Sequence, residues 1–196
     1  MRLARLLLAA LLVCVSTLAV AAAPAAPAAL PRDSVYQLSV PLRDQAGRQS
    51  DWRTRRGKPQ LVAMFYTSCP FICPLIVDSG KGVEKALTPA EQARLDILLI
   101  SMDPERDTPA ALADIADKRK LDTARWTLAS PLPEDVRQVA GVLGIRFRKL
   151  ADGEFNHTSA LVLLDAEGRI VARTEKIGSV PDPEFLAAVR RLLAAK

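Results

Sequence analysis

Residues 60–66 read Gln-Leu-Val-Ala-Met-Phe-Tyr, an apolar run entered through Gly57-Lys58-Pro59 and left through Thr67-Ser68. The run has none of the alternation of a half-exposed strand, so it predicts a strand covered on both faces. A second such strand is expected at 95–102. Between them, residues 74–87 carry helical spacing, with Leu75, Ile76, Ser79, Val83, Ala86 and Leu87 along one side and Thr88-Pro89 closing the helix. Two buried strands joined through a helix run parallel, and a parallel pair needs helices over it.

The rest of the chain extends this unit. Asp107-Thr108-Pro109 supplies a capping side chain followed by proline in the first turn of a helix whose buried face is Leu112, Ile115 and Ala116. A short strand is expected at 127–129, then a helix opened by Pro133-Glu134-Asp135, running through Leu143 and ended by Gly144. Residues 160–164 and 169–173 flank Asp165-Ala166-Glu167-Gly168, a hairpin signature, and an amphipathic helix follows at 183–194. Upstream, residues 35–42 and 50–52 flank the turn former Asp44-Gln45-Ala46-Gly47. The expected fold is α/β: a central mixed sheet with flanking helices and an N-terminal β-hairpin extension. At 196 residues, one domain is expected, with Cys69 at the strand ends where such sheets bind ligands.

Arg2 and Arg5 precede an uncharged apolar run over residues 6–23, and Ala19-Val20-Ala21 has the small residues of a processing site. Residues 1–21 thus read as a signal peptide or an N-terminal membrane anchor, residues 22–32 as an Ala/Pro-rich linker, and residues 33–196 as the folded domain. An exported, periplasmic protein is expected, either soluble or held at the inner membrane by that segment. Loss of Arg2 and Arg5 takes the net charge from +5 to +3, spread over both signs, which leaves no nucleic-acid footprint.

Of three cysteines, Cys14 lies in the leader and two remain, Cys69 and Cys73, in Cys69-Pro70-Phe71-Ile72-Cys73. Two thiols one helical turn apart at a helix start share a face, and the helix dipole favours their thiolates. A bridge over so short a loop constrains the unfolded chain little, so a purely structural disulfide explains the pair poorly. Two thiolates are too few for a closed zinc site, whereas Cu(I) accepts soft ligands at low coordination number. The sole histidine, His157, lies in the polar stretch Glu154-Phe155-Asn156-His157-Thr158 ahead of a buried strand. A surface or capping role is the commoner use of such a residue.

Three stretches in order resemble the Sco/SenC family: Phe65-Tyr-Thr-Ser-Cys-Pro-Phe-Ile-Cys-Pro74, Ile100-Ser-Met-Asp-Pro-Glu-Arg-Asp-Thr-Pro109, and Phe155-Asn-His157 followed by Leu161-Val-Leu-Leu-Asp165. The resemblance implies a thioredoxin-like fold and copper, as Cu(I) or Cu(II), held by Cys69, Cys73 and His157. It also implies a metallochaperone that delivers copper to the CuA-bearing subunit of cytochrome c oxidase or to another copper protein, or that keeps the thiols of that site reduced, itself served by a thioredoxin-like reductant. The chain departs from many members at Phe71, where they carry an aspartate two residues after the first cysteine.

The competing expectation is an envelope thiol-disulfide oxidoreductase in which Cys69 attacks and Cys73 resolves. Thioredoxin-type reductases resemble one another in a two-residue gap between the cysteines and a proline before the facing strand. Here the gap is three, and no proline occurs between Arg146 and Asp165, which favours metal binding over turnover. Asp103 and Asp107 read as turn and cap residues, Met64 and Met102 as core, and Trp52, Trp126 and Tyr66 as core or site wall.

Overall fold

A computed structural model describes residues 29–69 and 72–195. The leader and most of the linker expected at 1–28 lie outside the described residues. A seven-stranded mixed sheet runs in the order β2 (Gln49–Asp51), β1 (Pro41–Asp44), β5 (Trp126–Pro131), β4 (Asp96–Ser101), β3 (Gln60–Phe65), β8 (Leu161–Leu164), β9 (Ile170–Thr174). Its centre is β3, β4 and β5, parallel to one another and in register from Gln60 opposite Asp96 to Phe65 opposite Ser101. All six residues of β3 are buried, as an unalternating apolar run requires.

Helices α1 (Ile72–Ala86) and α3 (Pro109–Lys118) make the two parallel crossovers. Both steps go the same way across the sheet, and one handedness then puts both helices on one face. Arg119 ion-pairs with Asp78, and Lys81 Nζ donates to the Arg119 carbonyl at 2.8 Å, so the two helices lie side by side. A Cβ on Gly80 of α1 would stand 2.6 Å from the Trp126 ring, so glycine is what lets the helix approach β5 this closely. Helix α3 starts on Thr108, whose hydroxyl accepts from the Ala111 N–H; Asp107 was the expected cap and its side chain is used elsewhere.

The expected hairpins form, with one shortening. The N-terminal one is β1 (Pro41–Asp44) against β2 (Gln49–Asp51), and β1 joins the main sheet by pairing with β5. Val35–Gln37, expected as strand, is one 3-10 turn capped by Ser34, whose side chain accepts the Tyr36 N–H and pulls the chain out of extension. The C-terminal hairpin is β8 (Leu161–Leu164) and β9 (Ile170–Thr174), with β8 antiparallel to β3. Gly168 sits at φ 81°, and a Cβ there would meet Tyr36 at 2.5 Å. Two small helices, α2 (Pro89–Gln92) and α4 (Val136–Val142), and the C-terminal α5 (Pro183–Ala194) complete the layers.

A further hairpin, β6 (Phe147–Lys149) with β7 (Phe155–His157), stands apart as its own two-stranded sheet, with His157 opposite Phe147. The sequence pattern predicts neither of its strands. Three-residue strands are too short to show an alternation, and Arg148, Lys149 and Asn156 mask the Phe147 and Phe155 pair that packs the hairpin down. Among the described residues no helix is long and apolar enough to cross a membrane.

Candidate metal centre

Strand β3 delivers the chain to Tyr66, and the Cys69 N–H closes the following turn on the Tyr66 carbonyl at 3.4 Å. Helix α1 begins at Ile72, two residues earlier than its apolar spacing shows, so Cys73 lies in the first turn, where backbone N–H groups lack helical partners. The Cys73 N–H donates to Cys69 Sγ at 3.4 Å, and the Tyr66 N–H donates to Cys73 Sγ at 3.4 Å. Each sulfur therefore receives a backbone donor. Both side chains are buried, at 7% and 4% exposure, and no disulfide joins them.

Burial pushes the Cys73 thiol well above its ordinary range, and the nearby Cys69 adds to the rise while the Tyr66 N–H opposes it. The expectation that the helix start favours thiolate fails at Cys73, because desolvation outweighs one backbone donor. Beside the sulfurs a small apolar cleft of about 40 Å³ opens between α1 and α3, walled by Phe65, Val77, Ile115 and Arg119.

The loop before Cys69 is held from beneath by Asp107, which is 1% exposed. Its carboxylate accepts the Thr67 N–H at 3.0 Å, the Thr67 hydroxyl at 2.6 Å and the Ser101 hydroxyl. Burial raises the Asp107 carboxyl, and these donors pull it back. Turn formation does account for Asp103, whose carboxylate pairs with Arg106. Met64 and Met102 are buried core residues, as expected.

Tyr66 joins the cysteine loop to the β6–β7 hairpin. Its hydroxyl donates to Glu154 Oε2 at 2.9 Å, accepts the Phe155 N–H at 3.4 Å and bonds with the Cys69 side chain. Its ring meets Phe155 edge-on at 5.1 Å and His157 at 6.0 Å. Arg106 adds a second tie, donating to the Gly153 carbonyl at 2.7 Å and lying 3.7 Å from Glu154. No sequence signal separated Tyr66 from an ordinary core aromatic. Phenylalanine at position 66 keeps the ring contacts and loses three hydrogen bonds, so a stability loss of about 1–2 kcal/mol in urea unfolding and faster amide exchange through β7 are expected. Unchanged exchange in β7 would show that the ring alone docks the hairpin.

His157 is half-buried at the end of β7. Its Nδ1 lies 3.2 Å from the Thr158 carbonyl, which can only accept, so Nδ1 carries the proton and Nε2 presents a lone pair. That Nε2 is buried and has no hydrogen-bond partner. Burial also lowers the imidazole's tendency to take a second proton. A buried neutral nitrogen without a donor is costly unless something binds it, and a second-row partner on Nδ1 is the usual setting of a metal-ligating imidazole.

The structure thus brings Cys69 and Cys73 together and sets His157 next to Tyr66, the residue that touches both. Among the described residues, no three His, Cys, Asp or Glu side chains already converge as a metal-ligand cluster. The donor set nonetheless fits a soft, low-coordinate ion: two sulfurs and one neutral nitrogen, with no carboxylate among the intended ligands.

Known proteins extend the picture. The chain is 22% identical over 152 residues to the SCO1 protein homolog of Bacillus subtilis, covering 76% of this chain and 78% of that one. A structure of Bradyrhizobium japonicum ScoI with copper bound aligns with a TM-score of 0.65 at 27% identity, over 79% of this chain and 98% of the other. BsSco, described as a member of the Sco family of cytochrome c oxidase assembly proteins and studied for a disulfide switch, shares the fold with a TM-score of 0.68 at 21% identity, over 81% and 94%. The fold is accordingly thioredoxin-like. With the SCO1/SenC family model matching residues 33–194, the two cysteines, the histidine and the sheet that carries them all within the match, the chain belongs to the SCO1/SenC family.

Proposed function

We propose that the protein is an exported copper metallochaperone which carries Cu(I) between Cys69, Cys73 and His157 and supplies it to the CuA site of cytochrome c oxidase. Copper is cargo in this reading. The single observation that carries it is the buried, partnerless Nε2 of His157, on a hairpin tied by Tyr66 to a loop where two sulfurs lie together. A thiol reductase has no use for that nitrogen, whereas a soft metal ion does. Family membership and the copper-bound relative support the same assignment. Export rests on the leader over residues 1–21.

The residues divide the work. Backbone N–H groups of Tyr66 and Cys73 position the sulfurs, Asp107 fixes the loop that bears Cys69, and the Thr158 carbonyl holds His157 in the tautomer whose Nε2 can ligate. Cys73 must give up its proton on binding, so ion uptake and proton release are linked.

Anaerobic titration of the reduced protein with Cu(I) against a competing chelator tests the assignment. Alanine at His157 is expected to weaken binding by about two orders of magnitude while leaving unfolding unchanged within about 1 kcal/mol. Equal affinity in wild type and variant would remove His157 from the site. Thiol maintenance of the CuA cysteines is the second reading, favoured by the contact between the Cys73 N–H and Cys69 Sγ, which places the two thiols for intramolecular exchange. Its mark is rapid reduction of a disulfide substrate by protein that binds no copper.

A further inference from the structure

The hairpin carrying His157 is ringed by positive charge that no carboxylate neutralises. Arg137, Arg146 and Arg148 are all exposed, and among the described residues none of them forms an ion pair. Arg146 and Arg148 line the open cleft that contains His157, and Arg137 lines the neighbouring cleft across Phe147. The acidic groups of the same surface are committed: Glu154 to Tyr66 and Arg106, Glu175 to Arg173, and Glu105 to Lys149. Glu134, Asp135 and the hairpin-turn Asp152 are not ion-paired; Asp135 accepts from Gln138 Nε2 at 3.4 Å.

The same face is aromatic. The guanidinium of Arg137 stands 5.8 Å over the Phe147 ring, and Lys149 stands 5.7 Å over Phe155. Arginine stacked on aromatics is the composition of protein-binding hot spots, and unpaired arginines around a site attract a surface of opposite sign. Three of these unpaired arginines gather beside the nitrogen proposed to hold copper, while the sequence as a whole carries only +5.

We propose that the rim formed by Arg137, Arg146 and Arg148 docks an acidic protein segment that carries the copper-receiving thiols. The claim rests on the copper-carrier reading and adds the chemistry of the partner. Docking sets the recipient's cysteines against the site, and Cu(I) passes by ligand exchange without change of oxidation state: its bonds to Cys69, Cys73 and His157 Nε2 break as bonds to the recipient's sulfurs and other ligands form. Protons leaving the recipient's thiols end on the vacated sulfurs.

Two labelled peptides, each with a pair of cysteines, one flanked by glutamates and one by lysines, serve as probes. Binding of each to the metal-free protein is followed by anisotropy, and Cu(I) transfer from the loaded protein by rate. In low salt the wild type is expected to bind the glutamate peptide at least about tenfold more tightly and to transfer copper to it correspondingly faster, with the preference collapsing at high ionic strength. The double reversal Arg146→Glu/Arg148→Glu inverts the preference and leaves Cu(I) affinity in the chelator assay unchanged.

Equal binding of both peptides by the wild type overturns the proposal, as does a preference that survives the reversal. If anionic phosphatidylglycerol vesicles bind through these arginines while the peptides do not, the rim is a membrane contact and the proposal is likewise overturned. Because peptide binding is read without metal, failure here is distinguishable from failure of the copper site, which would show in the chelator assay alone.

Discussion

Serine in place of Cys69 or Cys73 is expected to lower Cu(I) affinity by about three orders of magnitude, measured against a chelator under anaerobic conditions. Structural zinc in zinc-finger peptides binds with about 10–16 kcal/mol; a comparable strength shared among three ligands gives roughly 3–5 kcal/mol each, and each 1.4 kcal/mol is tenfold. The hydroxyl that replaces the sulfur is a hard donor with a far higher pKa, and Cu(I) gains little from it. The fold should survive, since a serine oxygen at position 73 still accepts the Tyr66 N–H that now meets Cys73 Sγ at 3.4 Å. Affinities within threefold of wild type would sink the site.

The pH dependence follows from the same geometry. Burial raises the Cys73 thiol above its usual range, so at neutral pH Cu(I) must displace its proton, and affinity rises with pH by about tenfold per unit for that one proton. The Cys73→Ser variant loses that increment of slope. His157 is shifted the other way, below its ordinary value, so its neutral form is present at pH 7 and protons compete for Nε2 only in more acidic solution. For the metal-free protein, a thiol raised in the fold contributes stability that is complete below the unfolded thiol's pKa and is lost as pH rises through the folded one. Alkaline destabilisation is therefore expected in wild type and reduced in Cys73→Ser.

Much of this fold was readable because its longest elements have one dominant signal each. The unalternating run at β3 could only be a doubly covered strand, and α5 spans Pro183–Ala194 as its amphipathic spacing predicts. Boundaries were lost where capping competes with periodicity. Ser34 turned the segment before β1 into a 3-10 turn, whereas α3 starts at Pro109 where the capping signal put it, with Thr108 and not Asp107 as the cap.

The site was half legible. Local spacing places Cys69 and Cys73 together, because four residues across a helix start is a short-range relation. The link between His157 and the cysteines spans 88 residues and runs through Tyr66, which meets Glu154 and Phe155 only after β3 and the β6–β7 hairpin have folded. No periodicity in the chain encodes such a contact. The family resemblance supplied what residue spacing could not. The structure adds the tautomer of His157 and the shift of Cys73, both consequences of burial that a sequence does not display.

Alanine at Asp107 is expected to cost about 3 kcal/mol or more in denaturant unfolding and to loosen the Cys69 loop. The buried carboxylate satisfies the Thr67 N–H, the Thr67 hydroxyl and the Ser101 hydroxyl, and its removal leaves donors with no water to replace it. Asparagine should behave quite differently. With its amide oxygen in the place of Oδ1 it keeps both Thr67 donors, and its NH2 group then faces Ser101, whose hydroxyl can turn to accept. Ser101 Oγ already accepts the Asp103 N–H at 2.9 Å and has a second lone pair to offer. Asp107→Asn also removes a buried charge whose ionisation burial disfavours, so the stability loss should stay under about 1 kcal/mol. Because Asp107 is among the groups that raise the Cys73 thiol, the neutral amide should bring that thiol down and make alkylation of Cys73 faster at fixed pH. Alanine and asparagine destabilising equally would mean that the carboxylate's charge, and not its acceptor geometry, holds the cysteine loop in place.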